Sequence, residues 1–220
     1  MSQLELDMEN SNAGDNGENR AGNSTEENPD ATGDDASFDV DQTLREINRM
    51  MDTEADFATR TGQLSNGDLA ALRRISPRAP ITPALWRVLH HFEIADAPYA
   101  TSEQEQADYE RKWAVLLMGM AHCAGMHDGS KDGVSFGRAL AEAGWSEQRF
   151  VQLLETPPDR LGVQIRRVAQ FLAAKNQSAD WSGVYWLLFL KGEKAEKTRL
   201  GLARSYYGTL YYQEKEDDEE

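Results

Sequence analysis

The chain has 220 residues, a net charge of −15 at pH 7 and a single cysteine, Cys123. One cysteine excludes an internal disulfide framework and is typical of proteins in a reducing cytoplasm. The N-terminus lacks the apolar run of a secretory signal, and no stretch reaches the roughly 20 apolar residues that a membrane helix needs. We therefore expect a cytoplasmic protein with no membrane partner.

The negative charge is concentrated at the two ends of the sequence. Residues 1–41 contain 12 acidic residues and one basic residue, and residues 214–220 contain six and one. The segment between them, 42–213, contains 21 basic and 20 acidic residues and is almost neutral. The Asn-, Gly-, Asp-, Glu- and Ser-rich composition of 1–41 predicts a disordered acidic tail, and 214–220 is a second acidic tail. The first tail either solubilises the protein or competes with nucleic acid for basic side chains.

Helical signals fill the segment between the tails. Apolar residues recur at helical spacing, and capping residues, glycines and prolines separate one run from the next. Strand-like alternation is absent, so the predicted fold class is all-α. The predicted helices, in chain order, are 40–60, 69–75, 84–94, 103–123, 134–143, 146–155, a helix capped by Asp159, 181–190 and 194–213.

A glycine-rich, charged loop from Gly125 to Gly133 is the best candidate for a boundary inside the folded segment. It predicts an N-terminal helical half, 42–128, and a C-terminal helical half, 129–213. The expected architecture is two packed helical bundles with disordered acidic tails.

Signals for catalysis and metal binding are weak. His122, Cys123, His127 and Asp128 resemble a metal-binding group, but five residues separate the histidines, which places them about 140° apart on a helix. No second pair of ligands exists elsewhere, and the sequence contains no phosphate-binding glycine loop or nucleophile elbow. We therefore predict no catalytic residue, no metal and no cofactor. A small metal-dependent hydrolase that uses His122 and His127 is the third alternative, after a nucleic-acid-binding subunit and a helical adaptor that binds only protein.

Basic residues carry more information, because arginine suits phosphate: its planar guanidinium group donates two hydrogen bonds at once. Arg166 and Arg167 lie away from the apolar stripe of their helix, and Arg160 shares one side with Arg167. Three more basic residues fall within about 80° of one another on the last predicted helix. These are Lys194, Lys197 and Arg204. The alternative to phosphate binding is that these basic residues form ion pairs on a solvated surface. That surface would be expected of a helical adaptor that binds only protein.

The order of several short segments resembles the CasB family, the small subunit of the type I-E CRISPR surveillance complex, Cascade. The similarity runs over about 42–213, and the segment Gly137-Arg138-Ala139-Leu140 is its most specific part. The other segments are Leu72-Arg73-Arg74-Ile75-Ser76, Arg149-Phe150-Val151-Gln152-Leu153-Leu154, Gln164-Ile165-Arg166-Arg167 and Asp180-Trp181.

The resemblance implies a helical, non-catalytic subunit that braces guide RNA and opened target DNA, the R-loop, in antiviral defence. Its implied partners are the backbone subunit, the large subunit and a second copy of itself, packed head to tail. Arg73, Arg74, Arg138, Arg166 and Arg167 match basic contact positions of the family, and Lys194 matches less securely. The basic residues of the last predicted helix complete the set of predicted nucleic-acid-binding residues. The set is Arg73, Arg74, Arg138, Arg166, Arg167, Lys194, Lys197 and Arg204.

Overall fold

The computed structural model describes residues 38–52, 63–76, 82–130 and 133–219, with side chains described through Lys215. Within these ranges the chain forms helices joined by turns and short loops, without a β-strand, so the all-α prediction is confirmed. The helices are α1 (Val40–Met51), α2 (Asn66–Arg73), α3 (Pro83–His91), α4 (Glu103–His122), α5 (Phe136–Glu142), α6 (Glu147–Glu155), α7 (Pro158–Lys175), α8 (Ser182–Phe189) and α9 (Gly192–Glu219).

Most helix boundaries follow local capping chemistry. Ser65 and Asp68 form a reciprocal capping box at the start of α2, and the side chain of Ser102 accepts a hydrogen bond from the backbone of Glu105 in α4. The predicted cap at Asp159 is wrong, because Pro157 holds the N-cap position of α7 and Asp159 lies in the first turn. Two further differences concern lengths: α9 continues to Glu219, and residues 53–60 of the first predicted helix lie outside the described residues.

The core is centred on the second half of α4, where every residue from Trp113 to Ala121 is buried. This segment packs against α2 on one side and against α7 and α8 on the other. Gly119 permits a close approach, since a Cβ built there would overlap the indole ring of Trp181 and lie 3.2 Å from Ile165. The apolar core is therefore continuous between the predicted halves, whose division at 128/129 stays a prediction.

The loop predicted as a boundary is tied to the start of α8. The backbone of Asp128 donates to the carbonyl of Ala179 at 3.2 Å, and Ala179 donates to Met126 at 3.1 Å. His127 Nδ1 accepts a hydrogen bond from the backbone N–H of Trp181 at 3.1 Å. From the other side, Arg45 Nη1 donates to the carbonyl oxygen of Gly129 at 3.0 Å. These bonds hold α1, the loop and α8 in one arrangement.

No helix in the described ranges combines the length and the apolar character that crossing a lipid bilayer would require.

Candidate nucleic-acid interface

Arg73 is fixed at the C-terminal end of two helices. It lies in the last turn of α2, and its Nε donates to the carbonyl oxygen of Ala121 in the last turn of α4, at 2.7 Å. The C-terminal end of a helix carries partial negative charge, which favours a guanidinium group there. Arg73 is half-buried, so the contact limits the freedom of its side chain.

Arg166 reaches the same place from α7. Its Nη2 donates to the carbonyl oxygen of Ile75, just after α2, at 2.5 Å, and its Nε lies 3.1 Å from the Met118 sulfur in α4. Arg166 stands about 110° around α7 from the centre of the buried stripe, at the edge of the core. Its long side chain can therefore pack on α4 while the guanidinium group bridges α2 and α7.

His122 lies between these two arginines. Burial is the main cause that lowers its pKa, and the charges of Arg73 and Arg166 lower that pKa further. The ring is therefore neutral near pH 7, and its Nε2 atom is buried without a hydrogen-bond partner in the described part of the chain. Arg73, Arg166 and His122 are called the Arg73–Arg166 cluster below.

Two further predicted arginines, Arg74 and Arg167, directly follow Arg73 and Arg166 in the sequence, and both are exposed. Arg74 is the C-cap residue of α2, next to Ile75, whose carbonyl oxygen binds Arg166. Arg167 follows Arg166 but stands about 100° further around α7. Within the described ranges, no carboxylate lies within ion-pair distance of any of these four arginines. Their positive charge is thus not neutralised by those parts of the chain.

The side of α7 that carries Arg167 borders an open groove of about 680 Å³ between α6 and α7. Polar side chains line most of it, including Arg160 and the amides of Gln148, Gln152 and Gln164. Amide and guanidinium donors are the groups that contact nucleic-acid phosphates and sugars without reading sequence. One carboxylate, that of Glu155, also lines the groove.

Arg138 is placed elsewhere and has an acidic partner. Its Nε lies 2.6 Å from Glu142 Oε1, one helical turn along α5, and Glu142 also accepts a hydrogen bond from Gln177 at 3.3 Å. Gln177 follows the C-terminal end of α7, about 15 Å along the helix axis from Arg166. The structure therefore does not bring Arg138 into the Arg73–Arg166 cluster, and its role in binding stays a prediction.

The predicted residues of α9 are exposed and form a separate group. Lys194, Lys197 and Arg204 lie on the side of α9 opposite Ala195, Leu202 and Tyr206, the residues that pack on the protein. No contact in the described ranges joins them to the cluster on α2, α4 and α7. Their role in binding also stays a prediction.

Three of the four residues that suggested a metal site, Cys123, His127 and Asp128, make hydrogen bonds within the fold. His127 accepts the hydrogen bond from Trp181, and the buried Cys123 thiol donates to the carbonyl oxygen of Ala169 at 3.3 Å. Burial raises the pKa of Cys123 to about 12, which leaves it a protonated thiol near pH 7. Among the described residues, no three His, Cys, Asp or Glu side chains are grouped so that they could hold a metal ion.

Sequence reasoning identified Arg73 and Arg166 separately and missed His122 as their neighbour. The contacts that unite them join residues 48 and 91 positions apart, which no local pattern encodes. The available signal was that Arg73 and His122 both lie in the last turns of their helices, where basic residues are favourable.

The family model for CRISPR-associated protein Cse2 matches residues 68–207. A chain in a crystal structure of E. coli Cascade bound to a PAM-containing double-stranded DNA target is similar with a TM-score of 0.50 and 20% identity; the match covers 74% of this chain and 96% of that one. CasB from Thermus thermophilus is 23% identical over 74% of this chain and 97% of that one, with a TM-score of 0.49. No curated protein sequence matches.

Proposed function

Because the chain belongs to the CRISPR-associated Cse2 (CasB) family, we propose that it is the small subunit of a type I-E Cascade complex. In this proposal it contacts the phosphates of guide RNA and opened target DNA and catalyses no step. Its protein partners are the backbone and large subunits and a second copy of itself.

The observation that carries the proposal is the convergence of Arg73 and Arg166 from separate helices. A guanidinium group has five N–H donors, of which Arg73 uses Nε on Ala121, and Arg166 uses Nε and Nη2 on Met118 and Ile75. In the described residues the other donors have no carboxylate partner, which leaves them for phosphate oxygens. Because the anchoring contacts already order both side chains, phosphate binding costs less conformational entropy than with free arginines.

A few phosphate contacts can be enough to keep the target DNA open, because opening the target costs little net free energy. The guide–target duplex is about as stable as the DNA duplex that it replaces, so protein contacts to the backbone can decide whether the open state persists. Contacts of this kind require no reading of bases, and their contribution falls as salt rises. Because the segment 42–213 is almost neutral, we expect weak binding by the isolated chain and strong binding only within an assembly.

The test compares complexes that contain the wild-type chain with complexes that contain Arg73→Ala/Arg166→Ala. The measured quantity is the equilibrium constant for target-DNA retention as salt is raised. Each lost phosphate contact should reduce the slope of log K against log salt by about 0.7 to 0.9. The matched control is Arg111→Ala/Arg199→Ala, which also removes two positive charges, but from arginines that are ion-paired with Asp108 and Glu196. Equal DNA retention by wild type and the cluster variant would reject the nucleic-acid role.

The protein-only adaptor is kept as a second candidate because several surface arginines are ion-paired. Arg138 with Glu142, Arg111 with Asp108 and Arg199 with Glu196 are the arrangement expected of a solvated helical surface. If the cluster variant joined the complex and retained DNA as well as the wild type, this candidate would replace the first.

A further inference from the structure

The second half of α9 carries three exposed tyrosines. Tyr207 is 40% exposed, Tyr211 is 61% exposed and Tyr212 is 68% exposed. Tyr207 and Tyr211 are four residues apart and therefore lie on one side of the helix, with Tyr212 beside them. These three residues are called the tyrosine surface. Exposed aromatic side chains concentrated in this way are typical of interaction sites.

Neighbouring aromatic rings hold the tyrosine surface in place. The ring of Tyr207 lies edge-on to Tyr206 at 5.2 Å and to the buried Phe150 at 6.0 Å. The rings of Tyr211 and Tyr212 lie edge-on to each other at 5.7 Å. Because Tyr207 packs on the buried ring of Phe150, it loses little conformational entropy when a partner covers it.

The charge of α9 changes sign along its length. Residues 192–204 contain four basic and two acidic residues, whereas 205–219 contain one basic and five acidic residues. The last turn has no basic residue, although the C-terminal end of a helix already carries partial negative charge. Acidic residues there are unfavourable in the isolated chain, and a cationic partner would relieve the repulsion.

The charge pattern also decides between two classes of partner. The five acidic residues follow the tyrosines in the sequence, and negative charge repels phosphates, so nucleic acid does not suit this half of α9. The basic Lys197 lies about 21 Å along the helix from Tyr211, so the two surfaces can bind different partners. The family match ends at Tyr207, which leaves Tyr211, Tyr212 and the acidic residues outside it.

We propose that the tyrosine surface and the acidic end of α9 bind another protein subunit of the complex. The partner presents an apolar cleft for the tyrosine rings with lysines or arginines beside it. This inference rests on the proposed function, because that function supplies the assembly in which the partner is found.

The first experiment places the photo-crosslinking amino acid p-benzoylphenylalanine at position 211 of the full chain, assembled with the other subunits of a type I-E Cascade complex. We expect a crosslink to a protein subunit other than a second copy of this chain. A crosslink to guide RNA or DNA, a crosslink to a second copy, or no crosslink would overturn the inference.

The second experiment reverses the acidic charge. Asp217→Lys/Asp218→Lys should weaken the association of the full chain with a subcomplex of the other subunits by about tenfold. Lysines favour a helix C-terminus, so fraying of α9 would not explain the loss. The matched control, Glu93→Lys/Asp96→Lys, makes the same change in net charge at exposed positions between α3 and α4 and should associate as wild type does. Tighter association of the α9 variant would indicate a nucleic-acid partner and overturn the inference, as would unchanged association.

The two proposals can fail separately. Tyr211→Ala/Tyr212→Ala should weaken association with the subcomplex about tenfold, while complexes that do form keep the wild-type slope of DNA retention against salt. The Arg73→Ala/Arg166→Ala variant should associate with the subcomplex as wild type does. Its complexes should show a smaller slope of DNA retention against salt. If only the arginine variant behaves as wild type, the nucleic-acid role fails and the docking surface stands. If only the tyrosine variant behaves as wild type, the docking surface fails.

Discussion

Gly137 on α5 lies directly against the backbone of Leu202 on α9. A Cβ built on Gly137 would overlap the carbonyl oxygen of Leu202 and lie 3.2 Å from its carbonyl carbon. The obstacle is backbone inside a packed helix pair, so it cannot move aside as a flexible side chain could. This contact explains why glycine stands in the most specific segment of the sequence resemblance: Arg138 is exposed, Ala139 and Leu140 are buried, and Gly137 sets the distance between the two helices.

The first prediction follows from this contact. Gly137→Ala should lower the free energy of unfolding by about 2–3 kcal/mol, because the added methyl group forces α5 and α9 apart. The measurement is chemical denaturation followed by circular dichroism. Gly201→Ala on α9 is the matched control, since a Cβ there meets no atom within 4 Å and alanine favours a helix. Equal stability of the Gly137 variant and wild type would show that the helices can separate at no cost.

The second prediction separates the charge of Arg166 from its geometry. Lysine keeps the positive charge but cannot donate from the planar fork that reaches Ile75. Arg166→Lys should therefore weaken target-DNA retention by the assembled complex about tenfold, with a smaller change in salt dependence than Arg166→Ala causes.

The control for this comparison is Arg111→Lys, which changes a surface arginine with an i,i+3 acidic partner. Lysine can maintain that surface ion pair, so retention should stay close to wild type. Wild-type retention by Arg166→Lys would show that charge alone matters at this position.

The helices could be predicted because their signals are local. Capping residues, glycines and prolines separate one helix from the next, and apolar residues at helical spacing mark buried faces. The end of α9 was misjudged for a physical reason. Acidic composition suggested that a tail begins at 214, but glutamate has good helix propensity and residues 209–219 contain no glycine or proline.

The candidate site was less predictable than the helices. The pairing of Arg138 with Glu142 follows from i,i+4 spacing and could have been predicted from the sequence. The meeting of Arg73, His122 and Arg166 depends instead on how α2, α4 and α7 pack, which local sequence patterns do not specify. Helical periodicity placed Arg166 away from the apolar stripe and did not give the elements that it contacts.

The third prediction concerns the single thiol. Cys123 is buried and donates to the carbonyl of Ala169, and burial raises its pKa to about 12. Because the thiolate is the reactive form, iodoacetamide should not label the native protein near pH 7 on the time scale of minutes. Labelling of the guanidinium-unfolded chain, followed by mass spectrometry, is the control. Rapid labelling under native conditions would mean that the end of α4 opens readily.

The last prediction is a dependence of stability on pH that originates at His127. Its side chain is 1% exposed, and its Nδ1 accepts the N–H of Trp181, which is possible only while Nδ1 is unprotonated. Burial is the largest influence and lowers the pKa of His127. Arg45 lowers that pKa further, whereas Asp180, Asp128 and the backbone of Ala179 oppose the shift. The neutral ring therefore belongs to the folded state, and the unfolded chain binds the proton more readily.

The sign of the pH effect follows from this difference. Stability from His127 is fully present above its ordinary pKa of about 6.5 and decreases as the pH falls below that value toward the lower pKa of the folded state. Denaturation curves between pH 5 and pH 8 should thus show lower free energies of unfolding at the acidic end. His127→Asn, which can still accept from Trp181 but does not titrate, should flatten the curve. The lowered pKa of His122 acts in the same direction, so a smaller slope should persist in this variant. A variant curve as steep as that of wild type would exclude His127 as a source of the effect.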